Sequence, residues 1–185
     1  MSKVAIQGNA SGTGTFTIAA PNSNSNQTLT LPDQTGTVIT TAGVPKAALP
    51  SGSVLQVVSA TTSTSVSTSS TSFATTSFSA SITPLFSTSK VLVQVLGGVF
   101  RTPSGVQGNL TIYRASTNLG DTNRGLQQVG GQTGQCDFPI GIGYLDSPAT
   151  TSSTTYTIYI KATSSTVTFE VDAATCTLVL SEIAA

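Results

Sequence analysis

The chain has no histidine and no tryptophan, and only two cysteines and one methionine in 185 residues. Charge is scarce too. Seven basic and seven acidic side chains make up 8% of the sequence and cancel to zero, where ordinary globular proteins carry about a quarter. Each absence excludes something. Without histidine, the Ser-His-Asp and Cys-His arrangements cannot be built, so the many serines are not candidate nucleophiles. Two cysteines and no histidine leave too few ligands for a zinc site. Neither a basic footprint for nucleic acid nor an acidic tail is present. There is no run of 18 apolar residues to form a membrane-spanning helix. The opening MSKVAIQGNA lacks the apolar core of a signal peptide, which predicts a protein made in the cytoplasm and not exported by that route. In a reducing cytosol, Cys136 and Cys176 read as buried thiols rather than as a disulfide. No cofactor is expected.

What is present is serine and threonine, about a third of the chain, with Val, Ile, Leu and Phe spread among them. Disorder calls for high net charge and few apolar residues, and this chain shows neither. Strands covered by threonine fit better. Val54–Val58 reads as a first strand. The tract Ser59–Thr76 has only Val66 and Phe73 as bulky apolar residues, and reads either as a loop or as weak strands with outward hydroxyls. Phe78–Ile82 alternates cleanly. Lys90–Val99 is the strongest strand and is expected to be central, with Val91, Val93 and Val95 on one face and Leu92 and Leu96 on the other. Two apolar faces imply burial on both sides, one between sheets and one at a subunit contact. Leu110–Arg114 follows, then a glycine-rich span from Gly120 to Gly134. Next come Pro139–Leu145, where Ile alternates with Gly, then Thr155–Ile160, Thr166–Val171 and Cys176–Leu180. No segment holds a helical period beyond two turns. About eight short strands at this spacing predict an all-β head, a jelly-roll-like β-sandwich.

Ahead of it, residues 12–41 hold three short alternating runs: Thr15–Ile18, Thr28–Leu31 and Thr35–Ile39. They are separated by turn residues at Pro21–Asn24 and Pro32–Gln34. Their apolar side chains, Phe16, Ile18, Leu29, Leu31, Val38 and Ile39, contribute less by burial than ordering about thirty residues costs. The segment therefore needs a partner surface, and these six residues are the assembly or anchor candidates. Two prolines, Pro45 and Pro50, with flanking glycines mark a linker. The expected organisation is residues 1–43 as an N-terminal β anchor or stalk, 44–52 as a Pro-containing linker, and 53–185 as the sandwich.

The string Asn26-Gln27-Thr28-Leu29-Thr30-Leu31-Pro32-Asp33-Gln34-Thr35-Gly36-Thr37-Val38 resembles a segment of many bacteriophage tail-fibre and virion structural proteins. The match covers about a sixth of the chain. It implies a virion protein made in a host bacterial cytoplasm. Its expected partners are other copies of the chain in a homotrimer and other virion proteins of capsid or tail. Fibre and head decoration remain equally open.

Chemistry is sparse. The acids are Asp33, Asp121, Asp137, Asp146, Glu170, Asp172 and Glu182. Cutting a glycan needs two carboxylates about 5–10 Å apart. Glu170 and Asp172, on one strand face, are the only local pair, and they read as solvated charges near a strand end. Asp121, Asp137 and Asp146 lie in loop-like stretches without the dense spacing of a calcium loop, so no metal site is expected. Gly125–Gly134 has no phosphate-cradling pattern. Tyr113, Tyr144, Tyr156 and Tyr159 are the only tyrosines. Tyr159 shares a face with Thr157 rather than with its isoleucine neighbours, and that face is either exposed or a subunit contact. The expected function is thus non-enzymatic: a structural virion protein, or alternatively a module that grips a receptor or glycan on the host surface.

Overall fold

The computed structural model describes residues 49–169 and 174–185 and, within the first 48, residues 11–15, 17, 24–26 and 28. The six anchor candidates, the pair Glu170 and Asp172, and residues 44–48 of the linker lie outside the described residues. The chain divides into two units, residues 1–38 and 39–185.

Eleven strands are found among the described residues, all in the second unit. They are β1 (Val54–Thr62), β2 (Val66–Thr68), β3 (Ala74–Ile82), β4 (Lys90–Thr102), β5 (Gln107–Arg114), β6 (Thr117–Asn118), β7 (Gln127–Gly130), β8 (Cys136–Asp146), β9 (Thr154–Ala162), β10 (Val167–Phe169) and β11 (Cys176–Ile183). All pairings are antiparallel. One sheet runs β1-β11-β4-β10-β2, with β8 on the other side of β4; the second runs β3-β9-β5-β6, with β7 also on β5. Setting aside the short β2, β6 and β10 leaves two four-stranded sheets, β1-β11-β4-β8 and β3-β9-β5-β7. The chain moves between them so that its first and last strands are neighbours. That strand order is a jelly roll, two Greek keys wrapped into a sandwich.

Alternation explains why these residues make this core. On β4, Val91, Val93 and Val95 are fully buried, as are Leu178 and Leu180 on β11. From the second sheet, Ile158 and Ile160 of β9 and Leu110 and Ile112 of β5 face them, equally buried. Each such side chain contributes roughly 1.5–3 kcal/mol. The other face of β4 is not covered within the chain: Leu92 is half-buried and Leu96 is 48% exposed. One face of the central strand is thus core and the other is an outer surface.

Two irregularities keep the pattern in phase. On β4, the three-residue step from Leu96 to Val99 faces a two-residue step on β8, from Gly141 to Pro139. This bulge turns Phe100 back into the core, 1% exposed. It is built on Gly97 and Gly98, with φ of 78° and 73°, values that side-chain-bearing residues rarely adopt. Beyond it, β4 exchanges β11 for β10 as its neighbour. On β3, the step from Thr75 to Ser79 faces Tyr159 to Thr157. There the Thr76 hydroxyl donates to the Ile158 carbonyl at 2.8 Å and accepts from the Phe78 amide at 3.2 Å.

The Ser/Thr tract resolves into the end of β1, the short β2 and the start of β3. The glycine-rich span contributes β7. Cys176 is buried and Cys136 half-buried. They pair with Gly97 and Thr102 respectively, at separate places along β4.

Candidate functional site

The three acids considered for calcium have separate duties. Asp121 accepts the amides of Asn123 at 2.9 Å and Arg124 at 2.7 Å, closing a turn. Those two amides, that of Arg124 first, hold its carboxyl below the usual range. Asp137 pairs with Arg101 across two strands through bonds of 2.7 and 2.8 Å, and the guanidinium lowers its pKa. Asp146 is buried at one end of the sandwich. It accepts from Arg114 Nη1 at 2.8 Å and from the Tyr156 hydroxyl at 2.7 Å. Burial first, and then the Asp146 carboxylate, push the Tyr156 pKa far up. Among the described residues no group of three metal-ligating side chains converges.

Glu182 was not singled out in the sequence. It is fully buried and accepts Gln56 Nε2 at 2.6 Å and the amides of Leu85 at 2.7 Å and Phe86 at 3.4 Å. Burial works against its charge. The hydrogen bonds outweigh burial, with the Ser89 hydroxyl beside them, and the pKa falls. That hydroxyl itself lacks a partner in good hydrogen-bonding geometry. Glu182 and Asp146 both serve the fold: Asp146 ties the two sheets together, and Glu182 fastens the loop between β3 and β4. With relative exposures of 0% and 5%, neither is open to a substrate.

The two outer faces of the sandwich differ in character. On the β3-β9-β5 sheet, Tyr113 and Tyr159 stack with centroids 4.0 Å apart. Phe73 meets Tyr113 edge-on at 6.3 Å, and Lys161 Nζ lies 4.9 Å over the Phe73 ring. All four are half-buried. Period-2 alternation on β9 places Tyr159 and Lys161 opposite the isoleucines, as the sequence indicates for Tyr159. Burial and, secondarily, Tyr159 raise the Tyr113 pKa. Opposite Lys161 on β5 stands Asn109, fully buried, with neither carboxamide atom hydrogen-bonded.

The β1-β11-β4-β8 sheet presents instead a face without aromatic rings. Its cross-strand register gives three rows: Val57-Ser181-Leu92-Leu145, Ser59-Val179-Gln94-Gly143 and Thr61-Thr177-Leu96-Gly141. No ionisable side chain falls in any of them. A cleft of about 270 Å³ opens elsewhere, floored by Phe78 and Phe169 and rimmed by Thr62, Thr64, Thr76 and Ser77. Its lining holds hydroxyls and apolar carbon but no acid, base or thiol.

No family model matches this chain, and no curated protein does. Over 72% of its length the chain is similar to a solved structure, a mutant VP2 protein of infectious bursal disease virus in derived T=1 particles. The identity is 19%, the TM-score is 0.34, and the match covers 37% of that chain. A likeness of this order says nothing of what the present chain binds or builds.

Proposed function

We propose that this chain is a non-enzymatic structural protein of a bacteriophage virion, a trimeric fibre or capsid decoration protein anchored by residues 1–43 and projecting its jelly roll from the particle. The observation that carries the reading is the combination, in one chain, of the virion-type string Asn26–Val38 with a complete eight-strand jelly roll. The mechanism is burial and strand pairing, not reaction. The described acids and the cleft support it, because each acid is engaged in a turn, an ion pair or a buried network and the cleft holds no reactive group. Imaging of intact particles carrying the full chain or a chain lacking residues 1–43 tests it. The full chain gives density for a projecting domain, and the truncated chain gives none. Normal occupancy by the truncated chain overturns the anchor.

A second reading, a glycan-gripping adhesin, draws on the Phe73, Tyr113, Tyr159 and Lys161 cluster. Aromatic faces beside a cation and amides suit sugar rings and their hydroxyls. A glycan-array screen of the full chain and of Tyr159→Ala decides: binding lost in the variant promotes this reading, and no binding by either removes it.

A further inference from the structure

We infer that the ligand of the outer face of β3-β9-β5-β7 is an acidic saccharide, held by Lys161, Asn109 and the Tyr113–Tyr159 pair. This rests on the adhesin reading above and gives it a ligand class. The register puts these groups on neighbouring rows. Lys161, Asn109 and Gln128 form one row, Tyr159 and Thr111 the next, and Thr157 and Tyr113 the one after. Period-2 alternation turns them all away from Ile158, Ile160, Leu110 and Ile112 of the core. From the first row to the third is about 13 Å along the strands, room for more than one sugar ring.

Hydrogen-bond donors gather on these rows without acceptors. Among the described residues Lys161 Nζ makes no ion pair, only its contact with the Phe73 ring, and neither the Tyr113 nor the Tyr159 hydroxyl is hydrogen-bonded. Asn109 is 0% exposed with both carboxamide atoms unpaired. Such an orphan weakens the fold, and a leucine in its place would not. A side chain that lowers stability with no return in packing is a mark of a binding site. Its row neighbours Lys161 and Gln128 are long, unbranched side chains, and Gln128 is exposed, so a ligand that draws them aside reaches the amide. The charge of the face selects an acid. Tyrosines apart, Lys161 is the one ionisable side chain these four strands turn outward, since Arg114 is bound to Asp146. Asp121 lies within Coulombic reach of Lys161, but its carboxylate is closed on the Asn123 and Arg124 amides, and Arg124 cancels its charge. A sugar carboxylate thus suits Lys161, and hydroxyls suit the carboxamide, which donates and accepts.

An array that carries uronic-acid oligomers beside neutral hexose oligomers of the same length tests it. The native full chain should bind the uronic oligomers about tenfold or more tighter than the neutral ones, and raised salt should erode that preference. Lys161→Gln should remove most of the preference. Asn109→Leu should weaken binding while its thermal midpoint holds or rises, which a merely structural role would not give. Lys90→Gln, a cation on the other sheet, should change neither. Binding to no sugar overturns the adhesin reading and this inference with it. Binding as tight to neutral as to uronic oligomers overturns the inference and leaves the adhesin reading standing. A preference that survives Lys161→Gln, binding unaltered in Asn109→Leu, or an equal loss in Lys90→Gln also overturns the inference.

Discussion

Glu182 and Asp146 flank Val91 on one inward-facing row, each the cross-strand partner of that valine. Two carboxylates therefore close the same end of an otherwise apolar core. Glu182 draws its hydrogen bonds from Gln56 and the loop amides, Asp146 from Arg114 and Tyr156 of the opposite sheet.

The first prediction is acid sensitivity. The Glu182 carboxyl is held below its ordinary 4.5 in the folded chain. A group with a depressed folded pKa adds stability above its unfolded value, and that stability is lost as pH falls through the folded one. The thermal midpoint of the native chain should therefore drop below about pH 4.5, more steeply than that of Glu182→Gln. At neutral pH Glu182→Ala, which strands Gln56 and two amides, should cost on the order of 3 kcal/mol. Parallel melting curves for native chain and Glu182→Gln between pH 3 and 7 would contradict this account.

Opposite faces of β4 should respond oppositely to charge. Val93→Asp buries an unpaired carboxylate in the core and should unfold the domain or cost several kcal/mol. Leu96→Asp, on the outer face, should change the stability by about 0.5 kcal/mol or less. Equal melting behaviour of the two variants would show that the assigned faces are wrong.

The same strand shows what was legible in advance. Val91, Val93 and Val95 announce a strand with a buried face because period-2 alternation is local, and the alternation of Phe78–Ile82 and Thr155–Ile160 announces strands likewise. The strand β2 is opaque, since Val66-Ser67-Thr68 has one apolar residue and is fixed by β10 through a 2.9 Å contact between the Ser67 and Thr168 hydroxyls. Gln127–Gly130 is equally silent, its amides and glycine giving no strand signal before β5 is in place. Leu92 and Leu96 point away from the core within one chain, on the face expected to meet another subunit, because nothing in the pattern of a strand says whether its second apolar face meets another sheet, another copy or solvent. Site residues were less legible than the fold. Glu182 depends on Gln56, 126 residues away, and the Tyr113–Tyr159 stack exists only because β5 pairs with β9. The anchor candidates Phe16, Ile18, Leu29, Leu31, Val38 and Ile39 lie outside the described residues, so their role rests on sequence.

The bulge at Gly97 gives a third prediction. Its φ is +78°, and an added Cβ would stand 2.8 Å from the Thr175 carbonyl oxygen. Gly97→Val combines backbone strain with a clash against main chain and should cost roughly 1–3 kcal/mol. Gly141→Val adds a side chain in open space and a better strand former, so it should be tolerated. Denaturant midpoints of the two variants check the contrast, and an undiminished Gly97→Val would remove the bulge as a requirement.

Asn109 gives a fourth. Its carboxamide is buried between Lys161 and Gln128 with neither atom hydrogen-bonded, and a buried orphan polar group costs about 1–3 kcal/mol. Asn109→Leu, close in volume, should hold or raise the thermal midpoint. A marked fall would mean that the amide is engaged in the folded protein, and would strengthen the case for the neighbouring aromatic cluster as a binding face.

Absence of turnover is the last prediction. Hydrolysis of a glycosidic bond needs an acid that can give up a proton to the leaving oxygen and a second carboxylate beside the sugar ring. Asp121 and Asp137 are held ionised by their amide and guanidinium partners, which suits neither to the acid role. Asp146 and Glu182 are walled in by the core and its closing loop. The purified full chain should therefore release no reducing sugar from host surface polysaccharide. Should sugar be released, the pair Glu170 and Asp172 is the first to replace by Ala, with the melting curve of the double variant recorded beforehand. Release abolished in a folded double variant would replace the structural reading with an enzymatic one. Release that persists in it would send the search to Asp33 or to carboxylates brought together from different copies.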